Sequence, residues 1–296
     1  MNAQSLNRRP ANLIVGLGLA MGAAIFGGQA AAGSSETTGN IVSIGGSVTE
    51  IVYALDQQHR LIARDTTSVF PPEVTALPDV GYVRALSPEG VLSVGPELVI
   101  AEEGAGPAMA VDVLRKSSIP YVDVPQSDSP EGVLSKIRVV GDALGVPERA
   151  ETLAQSVAKD FESAVALVAT HPVDQRRVLF VLSTQGGRIM AAGTDTGADA
   201  IIALAGGTNV IQSFEGYKLV TEEAIAAAQP DVILMMDRRG GHANTNAELW
   251  AMPALAKTPA ARRDAVVRID GLLLLGFGPR TPQAITSLHA ALIEGS

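Results

Sequence analysis

Two side chains with the chemistry to hold a metal ion stand two positions apart in Asp79-Val80-Gly81-Tyr82-Val83-Arg84-Ala85-Leu86-Ser87. Tyr82 offers a phenol oxygen and Arg84 a permanent cation. A phenolate is a hard oxygen donor suited to ferric iron, and tyrosine serves as an axial ligand in some haem sites. A nearby guanidinium favours the ionised phenol by charge and hydrogen bonding, and it can equally grip a carboxylate. Residues two apart in an extended segment point the same way, so the pair is expected to share one side. The plain alternative is an amphipathic loop tyrosine that packs its ring and wets its hydroxyl. The segment lies between Pro71-Pro72 and a helix signal at Ser87-Pro88, in a loop near strand ends, where ligand crevices of α/β domains open.

The elements around this loop follow a recurring grammar. Asn40 to Ile44 forms a β-branched run ended by Gly45-Gly46, and Ser47 with Glu50 three residues on fits a helix-opening capping box. Further strand-like runs are Leu98 to Ala101, Tyr121 to Val124, Val178 to Leu182 and Val232 to Met236, with helical patterns between them. That alternation predicts α/β layers with mostly parallel sheets. Ser87-Pro88-Glu89-Gly90-Val91 and Pro96-Glu97-Leu98-Val99-Ile100 are echoed by Thr221-Glu222-Glu223-Ala224-Ile225 and Pro230-Asp231-Val232-Ile233-Leu234. A second echo pairs Glu50 to Leu55 with Asp199 to Leu204 in the same order, so two similarly built lobes are expected. Between them, Glu131 to Leu144 is apolar at helical spacing and Gly145-Val146-Pro147 breaks the pattern. Glu148 to Ala169 resumes it through Leu153, Val157, Phe161, Val165 and Val168. One stiff bridging helix predicts only modest closure of the lobes.

Composition narrows the functions open to such a molecule. The chain has 296 residues, enough for about two domains. Its formal charge of −9 argues against a broad nucleic-acid surface, because phosphate contacts need a basic patch. Cysteine is absent, which removes disulfides, thiolate metal sites and a lipid-modified cysteine. The four histidines, His59, His171, His242 and His289, are too scattered for a multi-histidine metal site. Residues 1–32 read as a secretory leader: Arg8-Arg9, an apolar stretch from Leu13 to Phe26, then Ala30-Ala31-Ala32 as cleavage site. Its removal deletes two basic residues and no acidic one. An exported protein without a lipid anchor is expected in the periplasm. The chain carries no Gly-x-Ser-x-Gly elbow, no phosphate-binding Gly-Lys loop and no His-Glu-x-x-His pair. A two-lobed cleft in such a chain points to binding rather than catalysis.

From Ile41 almost to the C-terminus the chain resembles periplasmic haem-binding proteins, the substrate-capture subunits of bacterial ABC-type haem importers. The segments that carry the likeness are Gly45 to Glu50, Asp65-Thr66-Thr67-Ser68, Gly81 to Gly90, Met190-Ala191-Ala192-Gly193 and Leu275 to Thr281. The resemblance implies a first lobe over 33–145, a bridging helix over 146–170 and a second lobe over 171–296. Haem b would lie in the cleft between the lobes as transported ligand. It also implies Tyr82 as axial ligand, Arg84 as its support, and Glu89 and Glu223 as docking acids for an inner-membrane ABC permease that works with its ATPase. An outer-membrane haem receptor would be the supplier, and the receptor itself a monomer. Arg188, Lys218 and Arg280 are candidates to attract the propionates locally, and His242 to reach the iron or pocket. Met190, Met235 and Met236 are expected to pack in the core. Some relatives carry a histidine just after the strand that opens the second lobe. Here Leu182 to Gly187 has none, which argues against a stacked pair of haems. The rivals are a receptor for another chelate, a siderophore or a corrinoid such as cobalamin, and an exported haem-modifying enzyme.

Overall fold

The computed structural model describes residues 39–173, 176–237 and 245–294; the leader over 1–32 and His242 lie outside them. The first lobe runs β1 (Ile41–Ile44), α1 (Gly46–Ala54), β2 (Leu61–Arg64), α2 (Pro88–Ser93), β3 (Leu98–Glu102), α3 (Ala108–Lys116), β4 (Tyr121–Val124) and α4 (Pro130–Leu144). Its four strands are all parallel, in the order β2-β1-β3-β4. A long helix, α5 (Pro147–Thr170), follows at once. The second lobe begins with β5 (Arg177–Ser183), β6 (Ile189–Ala192), α6 (Gly197–Leu204), β7 (Thr208–Asn209), β8 (Tyr217–Val220), α7 (Glu222–Ala228) and β9 (Val232–Asp237). It ends with α8 (Asn246–Trp250), α9 (Pro253–Ala256), α10 (Pro259–Arg263), β10 (Val266–Asp270), α11 (Gly271–Leu275) and α12 (Thr281–Glu294). Its sheet has the order β10-β9-β5-β6-β8, with β7 against β5; β6 runs antiparallel to both β5 and β8, and the other pairs are parallel.

The two lobes are built alike because the repeated residues do the same work in each. Ser87 caps α2 by accepting from the Gly90 N–H, and Thr221 caps α7 by accepting from the Ala224 N–H. In both, the acid two positions after the cap lies in the first helical turn, where the helix dipole favours it. Pro-acid then precedes the next strand. The Glu97 carboxylate accepts from the Asn40 N–H at 3.3 Å and that of Asp231 from the Arg177 N–H at 3.2 Å, each pinning the residue that begins its lobe's central strand.

The bridging helix has 24 residues, about 36 Å at 1.5 Å per residue. Its buried stripe is Ala150, Ala154, Val157, Phe161 and Ala164; Val165, expected on that face, is 46% exposed. The alanines win because they let neighbouring helices approach closely. The stripe joins Ile137, Val140 and Leu144 of α4 to Ala284, Ile285 and Leu288 of α12 in one apolar cluster that runs through both lobes. Gly141 marks the tightest point of the α4–α5 packing: a Cβ there would stand 2.1 Å from the Ala150 Cβ. Gly141→Ala is therefore expected to cost about 1–3 kcal/mol by overpacking. Urea unfolding measures it, and a stability within error of the parent would contradict this account of the junction.

Candidate ligand-binding cleft

A cavity of about 480 Å³ lies between the lobes, at the C-terminal ends of β3, β9 and β10. That volume falls within the range of about 300–1,000 Å³ typical of small-molecule sites. Its apolar lining comes from Val69 and Val83 of the first lobe and Met236, Leu272 and Leu275 of the second. Tyr82, Arg84, Ser47, Thr67, Glu102, Gln126, Asp237 and Asp270 supply polar groups. Hollows of about 560 and 510 Å³ run along the bridging helix against α12 and α1. They are larger, but they lie away from the strand ends where α/β folds bind ligands.

Tyr82 and Arg84 both line the cleft, although the backbone that brings them there is a turn and not the extended segment expected from the sequence. The Ala85 N–H donates to the Tyr82 carbonyl at 2.7 Å, which closes residues 82–85 into a turn. The turn is tied on both flanks. On one side the Thr66 N–H donates to the Gly81 carbonyl at 2.9 Å. Asp79 accepts there from the Gly81 N–H, the Thr66 hydroxyl and Arg64. On the other side the Gly106 N–H donates to the Val83 carbonyl at 2.8 Å and the Leu86 N–H to the Gly106 carbonyl at 2.7 Å. Tyr82 is 48% exposed, so the phenol stands in the cleft and is not packed away.

The Asp65-Thr66-Thr67-Ser68 segment holds the base of the cleft. Asp65 is buried and accepts from the Gly45 N–H, the Thr67 N–H and the Ser68 hydroxyl, which ties the loop after β2 to the start of α1. Ser47 does not cap α1. The N-cap is Gly45, and the Ser47 hydroxyl donates instead to Glu102 at 2.9 Å. Glu102 also accepts from the Lys136 ammonium at 2.6 Å, although Lys136 is fully buried on α4. At the lobe junction Gly46 approaches Leu272 so closely that a Cβ would lie 2.4 Å from its Cδ1.

Glu50, the other half of the expected capping box, also has a different partner. It is 6% exposed and forms a two-pronged ion pair with Arg280 of the second lobe. The Arg280 guanidinium stacks 3.5 Å from the centroid of Phe70. Burial pushes the Glu50 carboxyl above its ordinary value, the Arg280 pair works against this, and Asp270 adds to it. The turn over Leu275 to Thr281 explains the reach of Arg280, because Phe277 is 1% exposed and anchors that loop in the core. Arg280, a candidate for the propionates, is instead paired with Glu50 across the lobes and is not among the residues lining the cleft.

Arg188 is exposed at the start of β6, and Lys218 is exposed on β8 with its ammonium 5.3 Å from the Phe214 ring centroid. Neither lines the cleft, so among the described lining residues Arg84 is the cation. Met190 and Met235 are partly buried, whereas Met236, expected in the core, lines the cleft. Tyr217 had no sequence cue. It lies on β8, where burial pushes its phenol above the usual value, opposed first by a bond to the Ala198 backbone and then by the Thr196 side chain. Glu89 and Glu223 are both exposed at the second position of their helices. The Glu223 carboxyl is held below its ordinary value by its own N–H and the Thr221 hydroxyl.

Comparison with known proteins bears on this cleft. The model of the periplasmic binding protein family matches residues 41–272. The structure of the periplasmic haem-binding protein BhuT, in complex with two haems, superposes with a TM-score of 0.83 at 39% identity, covering 87% of this chain and 98% of that one. The apo periplasmic haem-binding protein RhuT from Roseiflexus sp. RS-1 gives 0.83 at 37% identity, over 86% and 98%. A vitamin B12-binding protein of Vibrio cholerae is 24% identical over 246 residues, 83% of this chain and 86% of its own.

Proposed function

The chain belongs to the periplasmic binding protein family, and from that premise we propose that it captures ferric haem in the interlobe cleft and delivers it to an ABC importer of the inner membrane. The observation that carries this reading is the pinned turn that sets Tyr82 and Arg84 on a cavity with apolar walls. The phenolate oxygen of Tyr82 ligates the iron. Arg84 attracts a propionate locally, within a Debye length of about 8–10 Å. Val69, Val83, Met236, Leu272 and Leu275 bury the macrocycle at roughly 25 cal/mol per Å² of apolar surface. The protein works after export to the periplasm, as a carrier without turnover.

Titration of the purified protein with ferric haem tests this directly. A saturable Soret shift with the charge-transfer absorption of a phenolate-bound ferric haem is expected, and its endpoint gives the stoichiometry. The likeness to a vitamin B12-binding protein makes cobalamin the second reading. Saturable cobalamin binding with no response to haem would replace the first reading by the second.

Glu89 and Glu223 stand at equivalent places on the two lobes, as docking to a permease with two related halves requires. Replacing both by alanine is expected to leave haem binding intact and to abolish haem uptake into vesicles bearing the transporter. Undiminished uptake would remove the docking role.

A further inference from the structure

We infer that the cleft fixes which edge of its ligand enters first, and that Glu102 is the positioning residue that does so. This rests on the haem reading above. The cleft is electrically lopsided: Arg84 faces three lining acids, Glu102 of the first lobe and Asp237 and Asp270 of the second. Arg84, its lining cation among the described residues, stands exposed at the mouth on the 82–85 turn. Glu102 closes β3 at the base, with its side chain 18% exposed. Its Oε1 accepts from the Lys136 Nζ at 2.6 Å and from the Ser47 hydroxyl at 2.9 Å, so the carboxylate has a fixed orientation. The Lys136 side chain is 1% exposed and lies behind the carboxylate, so the cleft faces the negative end of the pair.

Haem has both its carboxylates on one edge and hydrocarbon substituents on the opposite edge. Such a ligand fits the lopsided field in one direction: hydrocarbon edge to the base, propionates to Arg84. A porphyrin with carboxylates all round must bring one against Glu102 in a partly desolvated site, where like charges repel strongly. The ligand class is therefore an iron tetrapyrrole with its anionic groups confined to one edge.

Ferric haem and ferric coproporphyrin I, whose four propionates surround the ring, are titrated in parallel against the parent protein, Glu102→Gln, and a double variant with Glu102→Gln and Lys136→Met. The parent is expected to favour haem by about tenfold or more, the size of one close charge contact. Both variants should narrow that ratio to within about threefold by tightening the tetracarboxylate. The double variant covers the case in which Glu102→Gln alone misfolds around an unpaired ammonium, because it removes both charges together. Equal affinity of the parent for both porphyrins overturns the inference and leaves haem capture standing. So does a preference that persists in both variants, which then comes from shape or from the remaining Asp237 and Asp270 carboxylates. No binding of haem by the parent overturns the capture reading and this inference with it.

Discussion

Replacing Tyr82 by phenylalanine is expected to abolish the charge-transfer absorption of the haem complex and to weaken haem binding on the order of 100-fold. Loss of a group that only supports a metal ligand costs roughly 10–100-fold, so loss of the ligand itself belongs at or beyond the upper end. The substitution removes one oxygen and keeps the ring. Tyr82 is 48% exposed, and its turn is held by backbone bonds and by Asp79, so the fold has no reason to change. Circular dichroism and the urea midpoint should match the parent. A variant with an unaltered spectrum would show that the iron is held by another group, and the ligand assignment would fail.

The largest effect on stability is expected at the lobe junction. Arg280→Ala removes the partner of a carboxylate that is 6% exposed, and breaking a buried pair from one side costs about 3 kcal/mol or more. The cost should depend on pH in a defined direction. Burial already raises the folded-state value of Glu50 above 4.5, and without Arg280 it rises further. A carboxyl raised on folding binds its proton more tightly in the folded state, so stability falls as pH rises from about 4.5 through the raised value. The deficit of the variant should thus be greatest near neutrality and shrink toward pH 4.5, measured as the difference in urea midpoint from the parent. Adding Glu50→Gln should restore much of the loss at neutral pH, since no buried charge remains. A deficit that is the same at pH 5 and pH 8 would rule out an uncompensated carboxylate as its cause.

These two sites differ in how far the sequence reveals them. The strands, the paired helix caps at Ser87 and Thr221 and the long helix between the lobes follow local rules of period and capping, and the structure has them. Tyr82 and Arg84 could be read because their chemistry lies within three residues. Even so, the cause differs: a turn pinned by Thr66 and Gly106, not strand alternation, directs them into the cleft. Glu50 and Arg280 are 230 positions apart and leave no periodic trace, so the local Ser-x-x-Glu signature pointed to a cap instead. Nothing in the sequence singles out Lys136. Only the folded chain shows that it is buried and bonded to Glu102. On α5, Val157 and Phe161 are buried as the spacing predicts, but the close helix contacts select Ala164 over the larger Val165.

The apolar cluster that threads α4, α5 and α12 reaches beyond stability. Swinging the halves widely apart would tear shared hydrocarbon contacts and expose them to water, so the protein behaves as a socket more than a jaw. The span between Glu89 and Glu223 is then expected to change little when the socket is filled. A permease docking on those two acids, as proposed above, would meet a constant length and would have to sense cargo at the mouth, where Tyr82 and Arg84 stand.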